Sequence, residues 1–123
     1  MNATWETVAG VIATTNATNQ GAAIAATTLF TPTSADFYMA CGYLGILTAG
    51  TSGTITLNVI YQSEAGAKTT GIVSGLSITA SPNANGNCIG IFAVGGTAVQ
   101  YNTVLSGTAG ALQYSVSVKM IKL

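Results

Sequence analysis

The chain has 123 residues, a length typical of one domain, and 49% of its residues are hydrophobic while only 5% are charged. Three acidic and three basic residues balance to a net charge of zero, and histidine is absent. This composition argues against binding to nucleic acid or to an anionic membrane surface, which require clustered basic side chains. It also argues against catalytic triads and zinc sites built on histidine.

The scarcity of charge predicts a protein that associates with neighbours. A folded monomer of this size exposes about 6,000 Å², which leaves about one charge per thousand Å². Near-zero net charge favours association, so we expect neighbours to cover part of the surface. A monomer coated with Thr, Ser and Asn is the alternative. No apolar run approaches the roughly 18 residues that a membrane-spanning helix needs.

The first twenty residues differ from the rest. They mix small residues and Asn with Trp5 and Glu6, and their alternation is weak. We therefore predict an N-terminal arm over residues 1–20, followed by a single β-sandwich domain over residues 21–123. The arm lacks the basic head and apolar core of a secretory signal, so we expect synthesis in a cytosol.

Beyond the arm, alternating hydrophobic residues predict strands and almost no helix. The clearest strands are Thr54 to Tyr61, which reads TITLNVIY, and the closing segment from Tyr114 to Ile121. Further strands are predicted over residues 23–31, 37–47, 71–80 and 87–94. Segments 37–47 and 87–94 have apolar residues on both faces, which predicts burial on both sides.

Gly-rich turns separate these segments, and seven or eight short strands at regular spacing are typical of a β-sandwich. We predict an all-β, jelly-roll-like sandwich. Cys41 and Cys88 both lie in predicted strands. They are either buried small hydrophobic residues or a disulfide between neighbouring strands, and the sequence leaves both open.

No chemistry-bearing constellation stands out. The carboxylates Glu6, Asp36 and Glu64 are far apart in the sequence, and the Gly-rich segments do not precede a helix with the Lys of a phosphate loop. We predict no catalytic residues, no cofactor and no metal, hence no enzyme. The aromatic residues are expected to serve as core and interface anchors, and a sugar-binding platform on a receptor-binding tip is the alternative.

Several segments occur in a familiar order: TLFTP at 28–32, DFYMAC at 36–41, GTITLNVIY at 53–61, EAGAK at 64–68 and GTAVQY at 96–101, before the last strand. This order resembles a family of small bacteriophage virion proteins, of the capsid-decoration or head-fibre type, over residues 21 to 123. The resemblance implies a jelly-roll-like module that trimerises and attaches to a capsid or fibre, without catalytic residues.

The expected function is therefore structural: a virion protein that decorates a capsid as a homotrimer bound to the major capsid protein or another virion protein. A receptor-binding module of a tail fibre or spike and a main coat or tail-tube subunit are the alternatives. The expected interface residues are Trp5, Phe30, Tyr101 and Tyr114, with Trp5 as the anchor of the arm.

Overall fold

A computed structural model describes residues 10–123, and in this part of the chain all regular structure is β-strand. Trp5 and Glu6 lie outside the described residues. No helix between residues 10 and 123 could cross a membrane. The eight strands are β1 (Val11–Gln20), β2 (Thr27–Phe30), β3 (Asp36–Thr48), β4 (Ser52–Ser63), β5 (Gly66–Ser77), β6 (Asn83–Ala93), β7 (Val99–Thr108) and β8 (Gln113–Lys122).

The strands form two four-stranded antiparallel sheets, in the orders β1-β8-β3-β6 and β2-β7-β4-β5. Only β4 and β5 are consecutive neighbours within one sheet, and every other connection crosses to the opposite sheet. Eight strands that alternate in this way between two sheets make a jelly roll. The prediction of an all-β, jelly-roll-like sandwich is confirmed.

Alternating side chains of both sheets meet in one apolar core. The pattern predicted for residues 54–61 is confirmed, since Ile55, Leu57 and Val59 are fully buried. The closing strand likewise buries alternate residues from Tyr114 to Met120. At Gly42 an added Cβ would lie 2.5 Å from Leu57 Cδ2, so glycine allows β3 to approach the opposite sheet closely.

A series of hydrogen-bonded polar groups, which we call the polar chain, crosses this core. Tyr114 donates a hydrogen bond of 2.7 Å to the Ala22 carbonyl, and its hydroxyl oxygen lies 2.8 Å from Thr103 Oγ1, which accepts a 2.7 Å bond from the Ile24 N–H. Burial raises the pKa of the Tyr114 phenol, so the hydroxyl stays protonated and able to donate. The polar chain attaches the segment between β1 and β2 to strands β7 and β8.

The structure corrects the expected arm over residues 11–20. These residues form strand β1, whose backbone pairs with β8 from Val11 opposite Ile121 to Gln20 opposite Tyr114. The alternation is weak because the half-buried inner positions hold small side chains, Ala13, Thr15 and Ala17. Backbone pairing holds this strand in place more than apolar burial does.

Replacement of Tyr114 by Phe should lower the free energy of unfolding by about 1–2 kcal/mol, because the Thr103 hydroxyl loses its partner in a buried site. Denaturant unfolding measures the change. Tyr61→Phe is the matched control, since the Tyr61 hydroxyl makes no hydrogen bond to any residue from 10 onward. Equal stability of the Tyr114→Phe variant and the wild type would contradict the role of this polar chain.

Candidate functional site: the outer face of the β1-β8-β3-β6 sheet

The outward faces of the two sheets differ in chemistry. Seven large hydrophobic side chains are exposed among the described residues, and the one on the β2-β7-β4-β5 sheet is Val104. That sheet otherwise presents polar pairs on its outside, such as Asn58 with Asn102. The other six belong to the β1-β8-β3-β6 sheet and its C-terminal end: Val11, Ile12, Phe37, Tyr43, Leu47 and Leu123.

This distribution corrects the prediction that β3 and β6 are buried on both sides. Phe37 is 58% exposed and Tyr43 is 47% exposed, whereas the alternate residues Tyr38 and Leu44 are buried. The sandwich has two layers, so each sheet has only one inner face. The apolar residues on the opposite side of β3 lie on a surface that the described chain does not cover.

Six of the outward apolar residues lie together at one end of the sheet, whereas Leu47 lies at the opposite end of β3. We call this cluster the apolar end: Val11, Phe37, Met39, Phe92, Ile121 and Leu123. Phe37 lies opposite Phe92 in the β3–β6 pairing, with ring centroids 4.8 Å apart. Ile121 of β8 lies between Met39 of β3 and Val11 of β1. The Leu123 N–H donates to the Phe37 carbonyl at 3.1 Å, which brings the C-terminal residue to the same end.

One ion pair borders the apolar end. Lys122 Nζ lies 3.2 Å from Asp36 Oδ2, and the Phe37 N–H donates to Asp36 Oδ1 at 2.8 Å. The hydrogen bond from Phe37 and then the contact with Lys122 lower the pKa of the Asp36 carboxyl. Asp36 is therefore ionised and paired at neutral pH. Its contacts with Lys122 and the Phe37 N–H hold the start of β3 in place.

Cys41 and Cys88 lie directly opposite each other in the β3–β6 pairing and form a disulfide. The interpretation of the two cysteines as buried small hydrophobic residues is wrong, because both belong to the outer face and Cys88 is exposed. The bond joins β3 to the edge strand β6 in the middle of this face. Lys119 of β8 lies opposite Cys41 on the other side of β3.

Next to the disulfide lies an open groove of about 700 Å³. The side chains that line it come from all four strands of the sheet: Thr14, Asn16, Tyr43, Asn87, Ser117 and Lys119, together with the disulfide. No carboxylate of residues 10–123 lines the groove. In the part of the chain from residue 10 on, no group of three His, Cys, Asp or Glu residues could hold a metal ion.

The predicted interface residues within the described part of the chain lie elsewhere. Tyr114 and Tyr101 are buried in the core, which leaves almost no side-chain surface for a neighbour. Phe30 is half-buried, with its ring 5.0 Å from that of Tyr38. Trp5 lies outside the described residues. The missed candidates, Phe37 and Tyr43, could have been found from the strict alternation of β3, because opposite parities cannot both face a single core.

Comparisons with known proteins establish the fold alone. No family model and no curated protein matches this sequence. The VP2 subviral particle of infectious bursal disease virus is similar in structure, with a TM-score of 0.51 and 17% identity over 91% of this chain and 30% of that chain. The T=1 particles derived from that virus give a TM-score of 0.50 and 15% identity over 90% and 30% of the two chains.

A xylan-binding domain from Paenibacillus barcinonensis Xyn10C is also similar, with a TM-score of 0.46 and 10% identity over 92% of this chain and 88% of that chain. This similarity is too low to support an argument. The present chain spans about 30% of the length of the viral chains it matches. The comparisons thus show that the jelly roll of this chain also occurs in proteins of virus particles.

We expect the disulfide to contribute about 2–4 kcal/mol to stability, since it closes a loop between residues 47 positions apart. A reducing agent should lower the free energy of unfolding of the wild type by this amount and leave a Cys41→Ala/Cys88→Ala variant unchanged. Denaturant unfolding with and without the reductant measures both. Two alkylatable thiols in the air-oxidised wild-type protein would contradict the pairing.

Proposed function

We propose that this chain is a structural protein of a virus particle. In the finer form of the proposal it is a bacteriophage capsid decoration protein that forms a homotrimer and docks on the major capsid protein or another virion protein. The observation that carries the proposal is the apolar end, a cluster of exposed hydrophobic side chains on one sheet of a jelly roll.

The size of the apolar end suits a weak contact between proteins. Four strands about 4.8 Å apart and about ten residues long present roughly 600 Å² of sheet, of which the apolar end is about half. One contact through the apolar end therefore buries about 600 Å² on both partners together, less than a stable interface needs by itself. The aromatic and Met side chains of the apolar end are types enriched in interfaces, and in a symmetric particle each weak contact is repeated many times.

The distribution of charge supports the same proposal. Among the described residues, Asp36 is paired with Lys122, and Glu64 lies in the turn between β4 and β5. The apolar end therefore lies beside a neutralised pair, and covering it would not bury an isolated charge. We also propose that the chain is not an enzyme, because the Asp36 carboxylate is already engaged by the Phe37 N–H and Lys122 in a structural role.

The exposed disulfide supports a location on the particle outside the cell. Disulfides persist in oxidising surroundings and are rare in reducing cytosol. A chain made in a host cytoplasm and carried on a released virion would acquire the Cys41–Cys88 bond after release. A virion location and a cross-linked outer face are thus compatible with each other.

The substitution Phe37→Ser should weaken self-association by about 10- to 30-fold, as expected for an aromatic residue at an interface centre. Light scattering across a concentration series measures the oligomeric mass, and co-sedimentation with particles stripped of surface proteins measures docking. Val104→Ser on the opposite sheet is the matched control, since Val104 is 47% exposed.

We expect the wild type and Val104→Ser to form trimers that rebind particles at high copy number. The proposal would be overturned by a wild-type protein that stays monomeric and never binds particles. Loss of assembly in Val104→Ser with normal assembly of Phe37→Ser would place the contact on the β2-β7-β4-β5 sheet and would also overturn the proposal.

A further inference from the structure

We propose that the groove around Tyr43 is a binding site for an oligosaccharide, with the Tyr43 ring as its stacking platform. This inference goes beyond the proposed structural role, and it concerns a different part of the outer face. Tyr43 lies six residues from Phe37 along β3, a separation of about 20 Å at the rise of a β-strand. The two aromatic rings can therefore contact different partners, although the groove begins at Cys41, two residues from Met39 of the apolar end.

The Tyr43 ring rests on glycines. Gly86 lies directly opposite Tyr43 on β6, and an added Cβ there would lie 3.5 Å from Tyr43 Cδ1. An added Cβ on Gly45 would lie 3.2 Å from Cε2 and 3.3 Å from the hydroxyl of the same ring. The ring therefore packs over two positions, Gly86 and Gly45, that have no side chain. With 47% of the residue exposed, it offers an aromatic surface to solvent at the groove.

Neutral hydrogen-bonding groups surround this ring. Ser117, opposite Tyr43 on β8, donates to Asn16 Oδ1 at 2.6 Å, which fixes the Asn16 amide group. Within residues 10–123, the Asn16 Nδ2 group and the Asn87 side chain make no hydrogen bond to the protein. Both amides line the groove and keep donors and acceptors available for a ligand.

A sugar ring fits this combination. Its C–H face is apolar and stacks on an aromatic ring, while its hydroxyl groups at the rim exchange hydrogen bonds with amides and hydroxyls. The groove volume of about 700 Å³ lies within the range of small-molecule sites. A purely apolar ligand would leave the amides unpaired, and a nucleic acid would find a single lysine, Lys119, for its phosphates.

The groove is also held in shape before any ligand arrives. The Cys41–Cys88 bond lines it and joins β3 to β6, and the regular pairing of β3 with β8 fixes Ser117 beside Tyr43. A preformed site loses little conformational entropy on binding. Lys119, one strand away from the disulfide, adds a positive charge that favours sugars with a carboxylate.

The test is a titration of the purified protein with four defined probes: maltohexaose, cellohexaose, xylohexaose and hexagalacturonic acid. Backbone amide chemical shifts and calorimetry measure binding. We expect at least one probe to bind and to shift the amides of Asn16, Tyr43 and Ser117 without shifting those of β4 and β7. Absence of binding by all four probes would overturn the proposal.

Matched variants test the residue assignment. Tyr43→Ala should lower the affinity at least tenfold, while Tyr43→Phe, which keeps the ring, should stay within about threefold. Phe37→Ala removes an exposed aromatic residue from the apolar end of the same face and should leave sugar affinity unchanged. Thermal unfolding confirms that each variant is folded.

Unchanged affinity in Tyr43→Ala, or a loss that occurs only in Phe37→Ala, would also overturn the proposal. Protection of the groove by a second copy of the chain instead of by a sugar would do the same. The oligomeric mass, measured in the same samples without sugar, reports on the structural role separately.

Discussion

The alternation of strand β3 is the constraint on which the rest of the structure depends. β3 is a central strand, paired with β8 on one side and β6 on the other. Because Tyr38, Ala40, Leu44 and Ile46 point into the core, the residues between them must point outward, whatever their hydrophobicity. A shift of one residue would exchange the two sets and bring the disulfide to the inside. Burial of one set thus fixes the apolar end, the cross-link and the groove together.

The same constraint separates two surfaces with different chemistry. The outside of the β2-β7-β4-β5 sheet is covered by hydroxyl and amide side chains that pair with one another, as Asn58 does with Asn102. The outside of the β1-β8-β3-β6 sheet has aromatic residues at one end and a polar groove with one exposed aromatic ring in its middle. In our proposals the first region serves assembly and the second serves ligand binding. A single rigid sheet can carry both, because their aromatic residues Phe37 and Tyr43 lie about 20 Å apart along β3.

Sequence patterns predicted the fold where alternation was strong, as over residues 54–61 and in the last strand. They failed over residues 11–20, where small inner side chains such as Ala13 and Ala17 give little contrast and backbone pairing with β8 decides the structure. The site depends on register, which pairs Cys41 with Cys88 and places Gly86 beneath Tyr43. Nothing local in the sequence specifies pairings between residues more than forty positions apart. Aromatic residues such as Tyr114 were assigned to interfaces because composition does not distinguish core from surface.

The most direct test of the central claim, that the apolar end is a contact surface, is hydroxyl-radical footprinting of the protein free and in its assembled state. Mass spectrometry of the digested protein reports the oxidation rate of each side chain. The account predicts that Phe37, Met39 and Phe92 become protected on assembly, whereas Val104 is oxidised at the same rate in both states. Protection of Val104 with unchanged oxidation of the apolar end would contradict the account.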